Sequence, residues 1–317
     1  MMMAQTGSQE FKICSFYRFL PLSEAKVLDL KDNLKAAAEK LGILGLFILG
    51  PEGVNSSFSG TPASVEAFKL ALSEQLPVDD DLVFKDSFAN RPAFRDLKIK
   101  IRREIVTLGR PDLLPNGPRR HLSPKEWHEM ISQKDVVVID TRNSYEYETG
   151  HFRGAIDPKT REFSEFPKFL DQSGIEKDKK VMIYCTGGIR CEKGILEMEE
   201  QGFTNVYQLE GGILNYLKEY PHGHFEGECF VFDYRVAVDQ NLKPSEKYRL
   251  CPHCGQPAAV RIDCIQCGVP EIVCQSCLSR EQQFHTCSKN CAHHFRLGHQ
   301  TTRVHLDSFN KRSPLPE

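Results

Sequence analysis

The stretch KKVMIYCTGGIRCEKGILEMEEQG, residues 179–202, constrains the fold of this chain more than any other. Val181, Met182, Ile183 and Tyr184 form a short apolar run of β-formers, the pattern of a buried strand. Cys185 ends that run, and Thr186, Gly187, Gly188, Ile189 and Arg190 make a tight turn. From Cys191 the pattern becomes helical, with Ile195, Leu196 and Met198 at the apolar positions and Gly202 as the stop signal. A cysteine between a strand and a helix sits where backbone N–H groups converge and the helix dipole is positive. Both favour thiolate over thiol. Arg190 adds a fixed positive charge. The pattern reads as a reactive cysteine; the simpler alternative is a structural thiol beside two glycines that permit a sharp turn.

At 317 residues the chain is too long for one ordinary domain. Residues 1–10 read as a flexible N-terminus. They show neither a basic region nor an apolar core of signal-peptide length, and the longest apolar run, residues 42–50, is too short to span a bilayer. These features predict a cytoplasmic protein without a membrane segment. Residues 11–108 read as an α+β domain. Strands are expected at 11–19, 43–49, 55–59, 82–87 and 97–108, with helices from Ser23 to Leu41 and from Thr61, with Pro62 at its first position, to about Leu76. The order βαββαβ is that of a ferredoxin-like sandwich.

Residues 91–104, RPAFRDLKIKIRRE, are basic. Arg95, Lys98, Lys100, Arg102 and Arg103 cluster there, with Phe94 among them. On a strand, Lys98, Lys100 and Arg102 share one face and Leu97, Ile99 and Ile101 the other. The formal net charge of the whole chain is −2, so any case for nucleic acid is local to such a face. A solvated strand face is the plainer reading of the same residues.

Residues 109–120, rich in Pro, Gly and Arg, read as a linker. Ser123-Pro124-Lys125-Glu126 has the form of a capping box that opens the next domain, residues 121–222. A buried strand is expected at 136–140, a short helix at 163–170, then the Cys185 unit, a strand at 206–209 and a helix at 213–220. Strands alternating with helices imply a parallel α/β sheet, and Cys185 lies at a strand's carboxyl end, where such sheets place their sites.

Residues 223–317 form a C-terminal extension, with a strand expected at 230–238. Eight of the 12 cysteines fall within it, between 251 and 291. Cytosolic thiols stay reduced, so metal is expected there rather than disulfides. Cys251/Cys254, Cys264/Cys267 and Cys274/Cys277 form three Cys-x-x-Cys knuckles, and Cys287/Cys291 adds a Cys-x-x-x-Cys. Together they complete two tetrahedral sites for structural zinc. Sequential pairing (251/254 with 264/267) and interleaved pairing (251/254 with 274/277) both fit the spacing, and His253, His285, His293 or His294 can replace a thiolate.

The middle domain resembles a rhodanese domain. The resemblance rests on Asp140-Thr141-Arg142, Glu146, Gly150-His151, Gly154-Ala155, the Cys185 loop and Gly211-Gly212. In rhodanese domains the cysteine carries a persulfide, and loop amides and an arginine hold its charge. Related phosphatases have a longer loop; the tighter one here suits sulfur or another small electrophile better than phosphate. CTGGIRCEK, residues 185–193, with IDTRN, residues 139–143, narrows the resemblance to the tRNA uridine(34) hydroxylase family. Further matching pieces are Phe16-Tyr17-Arg18-Phe19, Pro51-Glu52-Gly53-Val54-Asn55, residues 97–106, Tyr207-Gln208-Leu209, Gly211-Gly212-Ile213 and Phe230-Val231-Phe232-Asp233. Ser56-Ser57 stand where that family usually has Gly-Thr.

The resemblance implies an oxidoreductase that hydroxylates C5 of uridine 34 with O2 as co-substrate, giving 5-hydroxyuridine. Its partner would be the tRNA anticodon stem-loop. Cys185, Arg190 and Cys191 are then the expected catalytic residues, and Arg95, Lys98, Lys100, Arg102, Thr186, Gly187 and Gly188 the expected substrate contacts. No flavin or haem motif is evident. Two other readings stand beside this one: a thiosulfate or persulfide sulfurtransferase, and a non-enzymatic zinc-stabilised RNA-binding or adaptor protein. The electron donor, the tRNAs selected and the oligomeric state stay open.

Overall fold

The computed structural model describes residues 10–76, 82–116 and 120–299. Residues 1–9, 117–119 and 300–317, which the sequence assigns to the N-terminus, the linker and the end of the extension, lie outside that description. The described part falls into two compact units, one of residues up to 234 with 238–243, the other of residues 235–237 and from 244 onward.

The first unit opens with β1 (Phe11–Phe19), α1 (Glu24–Leu41), β2 (Leu44–Gly50), β3 (Gly53–Gly60), α2 (Pro62–Gln75), β4 (Lys85–Ala89) and β5 (Leu97–Ile101). The local sequence sets these bounds. Ser23 caps α1 by accepting from the Lys26 N–H, and Gly42, at φ 67°, ends it. Val27, Leu30, Leu34 and Ala38, spaced at helical intervals, are the buried stripe of α1. The sheet order is β4-β1-β3-β2-β5. Its first four strands are the antiparallel ferredoxin-like sheet, and β5 adds to the β2 edge in parallel. Phe16, Phe47, Phe58 and Phe68 anchor the core between this sheet and the two helices. Ser56 and Ser57 lie in the regular β3 ladder, opposite Phe16 and Ser15 of β1, so no glycine is needed at those positions.

The elements depart from expectation in three places. Residues 97–108 are not one strand: β5 stops at Ile101, and farther on backbone N–H groups are taken by carboxylates rather than by a neighbouring strand, Ile105 by Glu52 and Leu108 and Gly109 by Glu104. The strand expected at 82–87 runs instead from Lys85 to Ala89. Residues 230–238 pair only at Cys229–Phe230 and Ala237–Val238, and Val236 between them adopts φ 66°.

The same unit continues with β6 (His121–Leu122), α3 (Pro124–Met130), β7 (Val136–Asp140), α4 (Ser144–Thr149), β8 (Gly150–Phe152), α5 (Phe166–Gln172), β9 (Lys180–Tyr184), α6 (Ile189–Glu200), β10 (Val206–Leu209), α7 (Gly212–Glu219) and β11 (Phe225–Gly227). Ser123 and Glu126 form the expected capping box of α3. The sheet β6-β10-β9-β7 is parallel throughout. Apolar side chains cover both its faces, with Trp127, Phe152 and Tyr216 in one layer and Phe166, Ile195 and Phe203 in the other. This explains the unbroken apolar run before Cys185.

Tyr17 ends up beside Glu192, and Lys85 beside Gly187. Glu52 and Glu104 both grip Lys193 of α6 at 2.9 and 2.6 Å. Lys193 is fully buried. One end of the ferredoxin-like sheet is therefore clamped onto the helix that follows the Cys185 loop.

The second unit contains the antiparallel pair Val260–Asp263 and Pro270–Val273, a second pair Arg249–Leu250 with Pro257–Ala258, and short helices Gln275–Leu278 and Lys289–Arg296.

Candidate active site and metal centres

Cys185 lies at the carboxyl end of β9 and is 1% exposed. Its loop is tied down by backbone. The Cys185 and Thr186 carbonyls accept from the Ile213 and Leu214 N–H groups, at 3.0 and 3.1 Å, at the start of α7. Gly212 must be glycine: a Cβ there would meet the Cys185 carbonyl oxygen at 2.5 Å. Gly188, at φ 101°, ends the turn, and its N–H donates to the Cys185 Sγ at 3.0 Å. α6 begins at Ile189, two residues before the helical pattern is read in the sequence.

Burial alone would push the Cys185 thiol up. A hydrogen bond from the Cys191 thiol, the Arg190 charge and the Arg190 and Gly188 N–H groups outweigh it, and bring the thiol down to about 5 from the ordinary 9. Cys191, buried and next to that sulfur, is pushed up and stays protonated; its Sγ lies 3.7 Å from the Thr141 hydroxyl. The two thiols titrate as a pair, and the first proton to leave is the one from Cys185.

Arg190 does not face outward. Both terminal nitrogens of its guanidinium fork onto Glu146, at 2.7 and 2.8 Å. Glu146 is fully buried, and burial opposes its charge, yet Arg190 holds its carboxyl below the usual range. Arg190 thus gives Cys185 a field and an amide rather than a free fork. The Phe232 ring lies 5.8 Å from the guanidinium carbon and is 58% exposed. Beneath the site, Arg142 is buried against Asp140 and the Gly150 carbonyl.

The other loop residues expected to bind substrate are engaged internally. The Thr186 hydroxyl donates to the Phe230 carbonyl at 3.4 Å, and the Gly187 carbonyl accepts from Lys85 at 2.6 Å. Outside the loop lies a cleft of about 600 Å³ lined by Tyr17, Arg18, Phe19, Lys85, His121, Glu192 and others. Glu192 there takes hydrogen bonds from Tyr17 at 3.0 Å and from His121 at 3.1 Å.

The basic cluster is placed elsewhere. Lys98 and Lys100 are exposed on β5, and Leu97 and Ile99 turn to the core as expected. Arg102 follows the strand and donates to the Ile101 carbonyl; Arg95 lies 3.4 Å from Asp96. In the sheet order β5 and β4 are opposite edges, four strand spacings or ~19 Å apart. The basic strand is therefore well separated from the β4 strand that carries Lys85.

Sequence reasoning missed Lys85, Glu192 and Lys193 as site residues. Glu192 and Lys193 sit inside the CEK of the signature, but nothing local shows that they face another domain. Lys85 carries no motif.

In the second unit the eight cysteines form two clusters, Cys251/Cys254/Cys274/Cys277 and Cys264/Cys267/Cys287/Cys291, each with sulfurs within 4.8 Å of one another. The pairing is interleaved. A tetrahedral zinc with Zn–S near 2.3 Å requires sulfurs ~3.8 Å apart; Cys254–Cys274 is 3.5 Å, Cys267–Cys287 3.6 Å and Cys267–Cys291 3.8 Å. Four thiolates without a fifth donor fit a closed structural site and are compatible with zinc. His253 and His285 direct their Nε2 atoms to the Thr286 and Leu278 carbonyls, so neither replaces a thiolate.

An acylphosphatase-like domain ahead of a rhodanese-like domain with a Cys-loop, followed by paired four-cysteine clusters, defines a rhodanese-class multidomain protein. The family descriptions agree: a UPF0176 acylphosphatase like domain matches residues 11–105, a rhodanese-like domain residues 123–219 and a rhodanase C-terminal domain residues 226–292. A tRNA uridine(34) hydroxylase from Bdellovibrio bacteriovorus is 49% identical over 90% of this chain and 82% of its own length. One from Legionella pneumophila is 45% identical over 73% of this chain and 91% of its own, and one from the Wolbachia of Culex pipiens 40% identical over 87% and 99%. The chain belongs to the tRNA uridine(34) hydroxylase family. Among solved structures, a rhodanese-related protein from Thermoplasma volcanium aligns over 32% of this chain and 93% of its own, at 26% identity and a TM-score of 0.28.

Proposed function

We propose that this protein hydroxylates uridine 34 of tRNA at C5, an oxygen-dependent oxidation in the cytoplasm, and that Cys185 is the reacting group. The observation that carries this reading is a buried cysteine held as thiolate by converging amides in a chain of this family. A thiolate adds readily to C6 of a uracil ring. The electrons of the broken C5–C6 double bond then make C5 a nucleophile toward an oxygen donor. Loss of the C5 proton and expulsion of the thiolate restore the ring as 5-hydroxyuridine. Full reduction of O2 requires two further electrons from a reductant. In the variant route O2, with two electrons from the reductant, first converts Cys185 to its sulfenic acid, the other oxygen atom leaving as water. Any sulfenic acid not consumed by the base condenses with the Cys191 thiol beside it to a disulfide and water, and the reductant reopens that disulfide.

Arg190, fixed on Glu146, supplies electrostatic support to the sulfur. The exposed Phe232 ring beside it offers a stacking face for a base. Arg95, Lys98, Lys100 and Arg102 suit phosphates of the anticodon arm at a distance from the reacting base. The zinc-type clusters serve as structural supports of the C-terminal unit. No helix of the described residues is long and apolar enough to cross a membrane.

The test is nucleoside mass spectrometry of tRNA incubated with reductant under air and under argon, wild type beside Cys185→Ala. The expected result is 5-hydroxyuridine only with air and intact Cys185, with a loss of about 10³-fold or more in the variant. Product formation by Cys185→Ala at the wild-type rate would refute the role given to Cys185. The short Cys–Arg loop favours one alternative, sulfur transfer through a Cys185 persulfide. Turnover of thiosulfate and cyanide to thiocyanate, without any 5-hydroxyuridine, would establish that alternative instead.

A further inference from the structure

The peptide group joining Gly187 to Gly188 is gripped on both sides. Its carbonyl accepts from the Lys85 Nζ at 2.6 Å, and its N–H donates to the Cys185 Sγ at 3.0 Å. There are no cis peptides among the described residues, and in a trans peptide the C=O and N–H point in opposite directions. The lysine and the sulfur therefore sit on opposite sides of one planar unit. The flanking residues are both glycine, so no Cβ resists rotation of this peptide about its two neighbouring bonds. A Gly-Gly peptide left to itself flips readily, and the flip would turn a carbonyl oxygen toward the thiolate. Something must hold it, and Lys85 donates to the Gly187 carbonyl.

Lys85 comes from β4 of the ferredoxin-like sheet, 102 residues earlier in the chain. Its Nζ lies 4.7 Å from the Tyr17 ring centroid, and Tyr17 is fixed by its hydrogen bond to Glu192. The amine is itself lowered to about 8, because burial disfavours its charge more than the nearby Cys185 and Glu192 favour it. The titratable groups that act on the sulfur include Arg190 and Cys191 of α6, the buried Cys229, and Tyr17 and Lys85 from the other domain; Glu192, Lys218 and Cys14 in turn act on the Lys85 amine.

We propose that Lys85 is a positioning residue for Cys185, locking and polarising the 187–188 peptide so that the Gly188 N–H stays on the sulfur. The N-terminal domain thereby sets the reactivity of a cysteine in the next domain. A cation on the carbonyl strengthens the N–H on the far side of the same amide, through the cooperativity of linked hydrogen bonds. The inference rests on the reading of Cys185 as a thiolate, and its test separates the two.

The experiment uses the full chain with Lys85→Met and Lys85→Arg. The Cys185 titration is followed by ultraviolet thiolate absorbance against the matching Cys185→Ser background, and exchange of the Gly188 amide by NMR. Lys85→Met is expected to raise the Cys185 midpoint by about one unit or more and to accelerate Gly188 amide exchange at least tenfold. Lys85→Arg, which keeps a cationic donor, is expected to restore most of both. A folded Lys85→Met with an unchanged midpoint overturns the proposal. So does a raised midpoint with unchanged Gly188 protection, which would make Lys85 a remote charge and nothing more. If Lys85→Met does not melt cooperatively, Lys85→Gln replaces it, with the same two readouts deciding. A wild type without a low midpoint overturns the thiolate reading and the clamp together; a low midpoint in both wild type and Lys85→Met overturns the clamp alone.

Discussion

Cysteine is used in two opposite ways in this molecule. In the first unit Cys185 and Cys191 are embedded in an apolar layer with Ile139, Phe166, Ile183 and Ile195. There the sulfur's state is dictated by amides, one arginine and the burial of everything around it. In the second unit the cysteines are themselves the core. Every buried member of one of its two small clusters is a cysteine, and the other adds only Ala258, Ile272 and Val273. A folded layer can impose a charge on a thiol; a unit with almost no layer needs its thiolates to bind something. The difference teaches that a cysteine's role follows from who supplies the surrounding order.

The comparison breaks most visibly through metal. Stripping the ion with a strong chelator is expected to abolish ordered structure in residues 251–297, since structural zinc in small modules is worth about 10–16 kcal/mol. Hydrogen exchange read peptide by peptide checks this, and metal analysis of the native protein should return two ions per chain. Cys277→Ser and Cys291→Ser should each lose one. Retained protection in the chelated protein would mean that the second unit has a core of its own.

Glu146→Ala probes the first unit. It leaves the Arg190 guanidinium buried without its partner, and loss of one member of such a pair costs about 3–5 kcal/mol. Denaturant unfolding monitored at Trp127 should show a loss in that range. Glu146→Gln, which retains hydrogen-bond acceptance at one oxygen, should lose less.

Lys193→Ala sharpens the same point through pH. In the wild type Glu104 is held below the ordinary carboxylate range; burial opposes this, and the Lys193 bond and the Leu108 N–H outweigh it. A depressed carboxyl contributes stability above the unfolded pKa, and that contribution is lost as pH falls through the folded one. Burial pushes Glu52 up even with Lys193 present. Without the lysine both carboxyls should move upward, so the variant should be least stable at neutral pH and recover as pH falls. The unfolding curves of the two proteins should therefore be well apart at about pH 7 and closer together at about pH 4.5.

The smallest effect is expected at β5. Lys98→Ala and Lys100→Ala should each weaken tRNA binding only a few-fold and lower the slope of log affinity against log salt by about one. Neither should move the Cys185 titration. An unchanged salt slope would assign these lysines to a solvated strand face.

What was legible in the sequence was whatever is written locally. The apolar run before Cys185, the two glycines, the Ser23 and Ser123 caps and the Cys-x-x-Cys spacing each specify their own element within a few residues. The interleaved cysteine pairing was not, because both pairings satisfy the same spacing and only the hairpin at 260–273 decides between them. The supports of the Cys185 loop were hidden for a similar reason. Glu146 meets Arg190 across 44 residues, Lys85 meets Gly187 across 102 and Glu52 meets Lys193 across 141. Nothing in the neighbourhood of a surface-type residue such as Lys85 announces a partner that far away. The strand expected through residue 108 failed because the Ile105, Leu108 and Gly109 N–H groups find carboxylate partners, Glu52 and Glu104, that the alternating pattern does not reveal.

The central claim is that Cys185 is a preformed thiolate at neutral pH, and its titration tests this most directly. The ultraviolet thiolate absorbance of the wild type, less that of Cys185→Ser, is followed from pH 4 to pH 10 with Cys185→Ser matched for metal content. The account predicts a single-thiolate step centred near pH 5. A step centred near the ordinary thiol value of 9 would contradict it and return Cys185 to a structural role.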